Sequence, residues 1–108
     1  MTAEEARFKG GLKGKLEKLF PGALILESDP DYIQGIPDLL VLWRSKWAAL
    51  ECKADAKARR QTNQKFYVDL MNSMSFAAFI YPENEERVLR DLQFAFGATG
   101  PPRLSRRK

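Results

Sequence analysis

A chain of 108 residues, 44% hydrophobic and 30% charged, is sized for one globular domain with a single modest core. It holds no histidine and one cysteine, which excludes an internal disulfide, a thiolate metal cluster and a histidine general base, and argues against zinc. The formal charge of +4 and pI near 9.4 suit a polyanionic partner without requiring one, and no apolar run reaches the roughly 20 residues of a membrane span.

Taken in order, residues 3 to 19 carry Phe8, Leu12, Leu16 and Leu19 at helical spacing. Thr2 is positioned to cap this helix, and Glu4 and Glu5 favour its positive end. Gly10, Gly11 and Gly14 weaken it by roughly 1 kcal/mol each, and their bareness would let it lie close to the sheet or to DNA. Phe20-Pro21-Gly22 stops it. Ala23 to Glu27 reads as a strand and Ser28-Asp29-Pro30-Asp31 as a turn, in which the aspartates are turn formers or, as the lesser alternative, metal ligands. After a loop through Tyr32 and Gln34 comes Gly35, whose bare backbone admits a close phosphate approach.

Gly35 to Trp43 and Trp47 to Lys53, broken by Arg44-Ser45-Lys46, read as a buried hairpin. Residues 54 to 60 are either a mobile connection or the first turns of a helix. Thr62 is expected to cap a helix over 63 to 74, followed by a strand over 75 to 81 and a helix over 83 to 96 ended by Gly97. The fold class is therefore α/β, in the order α-β-β-β-α-β-α, with three or four strands in a mixed sheet flanked by helices. Residues 1 to 97 form the domain, and 98 to 108 a basic, disordered tail.

The hairpin's polar exceptions sit at its ends. With its strands antiparallel, Asp38 lies near Glu51, Cys52 and Lys53, and alternation puts Glu51 and Lys53 on one face. One reading is a plain strand-end salt bridge. The other follows from placement, because carboxylates entering straight after apolar runs are desolvated and repel unless a cation joins them. Mg²⁺ suits such a pair with a backbone carbonyl, and Mn²⁺ is an equivalent hard cation.

Gly35-Ile36-Pro37-Asp38, then Glu51-Cys52-Lys53, then Gln64 in the next helix resembles the PD-(D/E)XK nucleases, most closely their VRR-NUC and Holliday-junction-resolvase-like branch, as small phage-type stand-alone proteins. The resemblance spans roughly residues 4 to 81 and implies a restriction-endonuclease-like core and a Mg²⁺-dependent DNA endonuclease. It implies that Asp38, Glu51 and the Cys52 backbone carbonyl hold the metal and that Lys53 steadies the attacking water or the charge on the phosphate. Gln64 assists. A helix-1 glutamate joins as a further ligand, Glu5 first, with Glu4 or Glu17 as alternatives.

Lys57, Arg59 and Arg60 lie where a DNA backbone would pass, or are solvated surface. The resemblance further implies a homodimer acting on branched DNA such as four-way junctions, in the cytoplasm, the host's if phage-encoded. Phe94, Phe96, Trp43 and Trp47 are candidate interface aromatics, with core packing as their competing role. The alternative function is a DNA-binding or assembly module that keeps the nuclease fold without cleavage.

Overall fold

In the computed structural model, residues 2–29 and 31–98 are described; Pro30 and residues 99–108, nearly all of the expected tail, lie outside them. Helix α1 (Ala3–Leu19) begins with a capping box, in which Thr2 Oγ1 accepts from Glu5 N at 3.1 Å and Glu5 Oε1 accepts from Thr2 N at 3.0 Å. Its buried Leu12 and Leu16 set the inward face. The three glycines are not on it. A Cβ built on Gly10, Gly11 or Gly14 meets nothing within 4 Å, so they line open space and do not bring the helix to the sheet.

Strands β1 (Leu24–Glu27), β2 (Leu39–Trp43), β3 (Lys46–Cys52) and β4 (Phe76–Ile80) form one sheet in the order β1-β2-β3-β4. The first two pairings are antiparallel and β3–β4 is parallel, so the long connection between β3 and β4 carries helix α2 (Thr62–Met74) as the crossover. Helix α3 (Glu85–Phe96) follows and ends at Gly97, left-handed at φ 69°. The element order is the one read from the sequence, and the sheet has four strands.

The hairpin is tighter than its composition indicates. Trp43 pairs with Lys46, leaving a two-residue loop of Arg44 and Ser45. Arg44 takes φ 58°, a conformation glycine usually fills, with its guanidinium carbon 4.0 Å over the Trp43 ring. β2 starts only at Leu39, so Gly35 to Pro37 belong to the preceding loop.

One sheet face packs Leu39, Val41, Leu50, Cys52 and Ile80 against α1 and α3. Trp43 and Phe96 lie in this core with Phe20, their ring centroids 5.1 to 6.1 Å apart, and Trp43 Nε1 donates to Pro21 O at 2.9 Å. Those two candidate interface aromatics are therefore core residues, because the end of the sheet needs large rings to meet α3. Phe94 points outward at 89% exposure. On the other face Val68 of α2 covers Ala49, Ala77 and Phe79, with Trp47 partly buried beside them. β3, covered on both faces, is continuously buried from Ala48 onward, as its unbroken apolar run requires. Among the described residues, no helix is long and apolar enough to cross a membrane.

Candidate active site

The antiparallel register sets Leu39 opposite Leu50, so Asp38 and Glu51 face one another one step beyond. Asp38 Oδ2 accepts from Cys52 N at 2.9 Å, tying the entry of β2 to the exit of β3. Lys53 N donates to Ile80 O at 2.9 Å, which anchors the following residue to β4. Glu51 and Lys53 share a face as alternation demands, with Glu51 Oε2 3.8 Å from Lys53 Nζ and both side chains buried. Cys52 turns into the core.

Gln64 joins them from α2. Its Oε1 accepts from Lys53 Nζ at 2.7 Å and its Nε2 donates to Glu51 Oε2 at 3.1 Å. The same Oε1 also accepts from Gln61 N at 3.0 Å. The N-cap is thus Gln61 and not Thr62: the amide at the third helical position reaches back to the cap, so one side chain starts the helix and bridges the ion pair.

Buried carboxylates packed together resist ionisation. Burial, and next the charge of Asp38, push Glu51 from 4.5 up to about 8, against the pull of Lys53. Burial raises Asp38 too, opposed first by the Cys52 N–H. The Cys52 thiol is pushed up by burial and by both carboxylates, leaving it protonated and poorly suited to ligation through sulfur. The two carboxylates offer hard oxygen donors, the type that a cation such as Mg²⁺ prefers.

Glu5 is not gathered into this pair. Its Oε1 is occupied by the helix cap, although its charge is felt at Asp38 and Glu51. Among the described residues, no three Asp, Glu, Cys or His side chains are grouped to hold an ion. Asp29 and Asp31 are turn formers, with Asp31 N donating to Asp29 Oδ1 at 2.9 Å.

Residues 54 to 60 form an irregular connection and no helical turn, with Lys57 N bonded to Asp55 Oδ1 at 2.8 Å. Lys57, Arg59 and Arg60 are all exposed. Arg60 stacks its guanidinium carbon 4.3 Å over the Phe79 ring, which fixes its direction. Gly35, at φ 93°, is approached by Asn63 of α2: an added Cβ would fall 2.7 Å from Asn63 Cγ. Asn63 Nδ2 donates to Gln34 O at 3.2 Å, so the space beside Gly35 belongs to a side chain and not to a phosphate.

Sequence reasoning missed Lys9. Its Nζ lies 3.0 Å from Glu27 Oε1, and Lys13 Nζ lies 2.7 Å from Glu27 Oε2. Burial opposes the Lys9 charge, the Glu27 carboxylate more than offsets this, and Asp38 adds to it. The available signal was the i,i+4 pair Lys9–Lys13 running beside the apolar stripe of α1.

An α-β-β-β-α-β-α domain with aspartate, glutamate and lysine gathered at adjacent strand ends has the architecture of the restriction-endonuclease-like folds. No family model and no curated protein matches the chain. Among solved structures it is similar to a VRR_NUC domain, with TM-score 0.68 and 21% identity over 82% of this chain and 97% of that one. The fold is that of a VRR_NUC domain.

Proposed function

We propose that this domain is a metal-dependent endonuclease that hydrolyses DNA phosphodiester bonds, acting as a homodimer on branched DNA such as four-way junctions. The observation that carries the reading is the run of contacts from Glu51 through Gln64 to Lys53, beside Asp38 on the Cys52 amide, all at the ends of two adjacent strands. A structural salt bridge does not account for it, because a second buried carboxylate raises the cost of the first.

Asp38, Glu51 and the Cys52 carbonyl would hold Mg²⁺ or Mn²⁺, and the cation supplies Lewis acidity toward a phosphoryl oxygen and acidifies water. Lys53 meets the charge that develops on the phosphate, and Gln64 keeps its ammonium from swinging away. Gln64 also fixes the orientation of Glu51. Lys57 and Arg59, exposed on the connection after β3, are suited to phosphate contacts that position a duplex without reading bases.

The test is cleavage of a four-way junction, a flap and linear duplex in Mg²⁺. Asp38→Asn and Lys53→Ala are expected to lose cleavage by about 100-fold or more while circular dichroism shows the fold retained. Wild-type rates in Lys53→Ala overturn the assigned role, and full activity in excess EDTA overturns the metal mechanism. Equal rates on the three substrates remove the branched-DNA preference alone.

A further inference from the structure

Around the start of α2 lies a cavity of about 840 Å³ that the chemistry proposed above does not use. It is lined by Arg59 of the connection after β3, by Gln34 of the loop before Gly35, and by Gln61, Asn63, Phe66 and Tyr67. That volume falls in the range of about 300–1,000 Å³ typical of sites for small organic groups, well beyond what a lone ion fills. No carboxylate is among its described lining residues.

Two of these residues are placed as an ordinary solvated helix surface would not place them. Phe66 keeps 57% of its surface in water, where a large apolar ring gains nothing. It meets Tyr67 at 79° with ring centroids 5.1 Å apart, so the two rings form a corner fixed by their own contact. Arg59 has no ion-pair partner among the described residues, whereas the neighbouring Arg60 is taken up by the Phe79 ring. Asn63 Nδ2, donating to Gln34 O at 3.2 Å, ties the loop to the helix and holds two walls of the cavity together.

We propose that this cavity takes one unpaired nucleotide of the DNA strand being cut, its base against Phe66 and Tyr67 and its phosphate on Arg59. The proposal rests on the nuclease reading above and names the feature of the DNA that is recognised. Chemistry selects this occupant. A duplex backbone offers phosphates, which call for cations and not for an exposed phenyl ring, and the faces of its bases are covered by one another. An unpaired base presents a bare π-face, and stacking on an aromatic side chain accepts any base.

Position agrees with chemistry. Asn63 directly precedes Gln64, whose amide bonds Lys53 Nζ at 2.7 Å and Glu51 Oε2 at 3.1 Å, so the cavity and the carboxylate cluster share one helical turn. A strand with a phosphate at Lys53 therefore has a neighbouring nucleotide at the cavity. Flaps and opened pairs at a branch point supply unpaired nucleotides beside intact duplex, which gives a preference for branched DNA a source within one protomer.

The test is fluorescence anisotropy of a labelled oligothymidylate of about 12 nucleotides and of a blunt duplex of the same length, in EDTA so that nothing is cut. Phe66→Ala is expected to weaken binding of the single strand by about 10-fold or more while duplex affinity stays within about twofold, and Phe66→Trp to keep the strand bound. Arg59→Ala is expected to lower the slope of log affinity against log salt on the single strand by about 0.7. Phe94→Ala, at a residue of α3 that is 89% exposed and outside the cavity, is expected to leave both affinities unchanged. All three positions are exposed, so the fold should tolerate the changes, as circular dichroism would verify. Equal losses on strand and duplex in Phe66→Ala, no loss on the strand, or an equal loss in Phe94→Ala overturn the proposal, as does a wild type that does not bind the strand. Cleavage of a flap in Mg²⁺ is scored beside it. A wild type that binds the strand through Phe66 but never cuts keeps the nucleotide site and removes the nuclease, and a wild type that cuts while Phe66→Ala binds the strand undiminished does the reverse.

Discussion

Glu51 couples the site to the stability of the domain. In the metal-free protein its carboxyl titrates near 8, displaced from 4.5 by burial and then by Asp38. Between those values the folded chain binds more protons than the unfolded chain, so stability is full below about pH 4.5 and falls as pH rises toward 8. Asp38 acts with the same sign. In EDTA the unfolding midpoint is therefore expected to drop from about pH 5 to pH 8, and Glu51→Gln to flatten the profile. Mg²⁺ at the upper end should raise it again, because an ion that binds only the folded state stabilises it. A wild-type midpoint constant across this range in EDTA would remove the raised Glu51. Glu27 acts oppositely: Lys13 and Lys9 hold it near 2, so its contribution is lost as pH falls below 4.5. Its side chain is 47% exposed, which limits that contribution to under about 1 kcal/mol after solvent screening.

At the scale of elements, the start of α2 is seated by contacts from three directions, the Gly35 loop, the exit of β3 and its own cap. Gly35→Ala forces a side chain into left-handed backbone and against Asn63, with an expected loss of about 1–3 kcal/mol in urea unfolding. Adding Asn63→Ala should return the clash share and leave the backbone share. A Gly35→Ala protein as stable as wild type would mean that the loop and α2 are not in contact. The hairpin and its Asp38–Glu51–Lys53 cluster were legible because strand alternation and antiparallel pairing place residues by counting. Gln64 was legible through resemblance alone; its role in the cap was not, since Thr62 is the stronger capping residue type and nothing local reveals a hydrogen bond reaching back from Gln64. Gly35 was legible as a special backbone position, but its neighbour comes from a helix nearly 30 residues on. Trp43 and Phe96 could serve as core or interface until α1, α3 and the hairpin were seen to meet at one end.

At the scale of the whole molecule, the formal net charge is concentrated at one end of the sequence. Arg103, Arg106, Arg107 and Lys108 equal the entire formal excess of 18 basic over 14 acidic residues, so residues 1–98 are formally neutral. Residues 1–98 therefore depend on local placement of cations for any grip on DNA. Ending the chain at Ala98 is expected to lower the slope of log affinity against log salt by up to about 3.6 and to leave the chemical step untouched. An unchanged slope in filter binding would mean that those four cations take no part in DNA binding.

The double use of Gln64 Oε1 has a consequence for the ensemble. The first turn of a helix is where fraying begins, and here fraying also releases the acceptor of the Lys53 ammonium. On the proposed mechanism, molecules with that turn open would be a disarmed subpopulation, and the closing equilibrium of one helical turn would set an upper limit on the fraction of molecules ready to react at any instant.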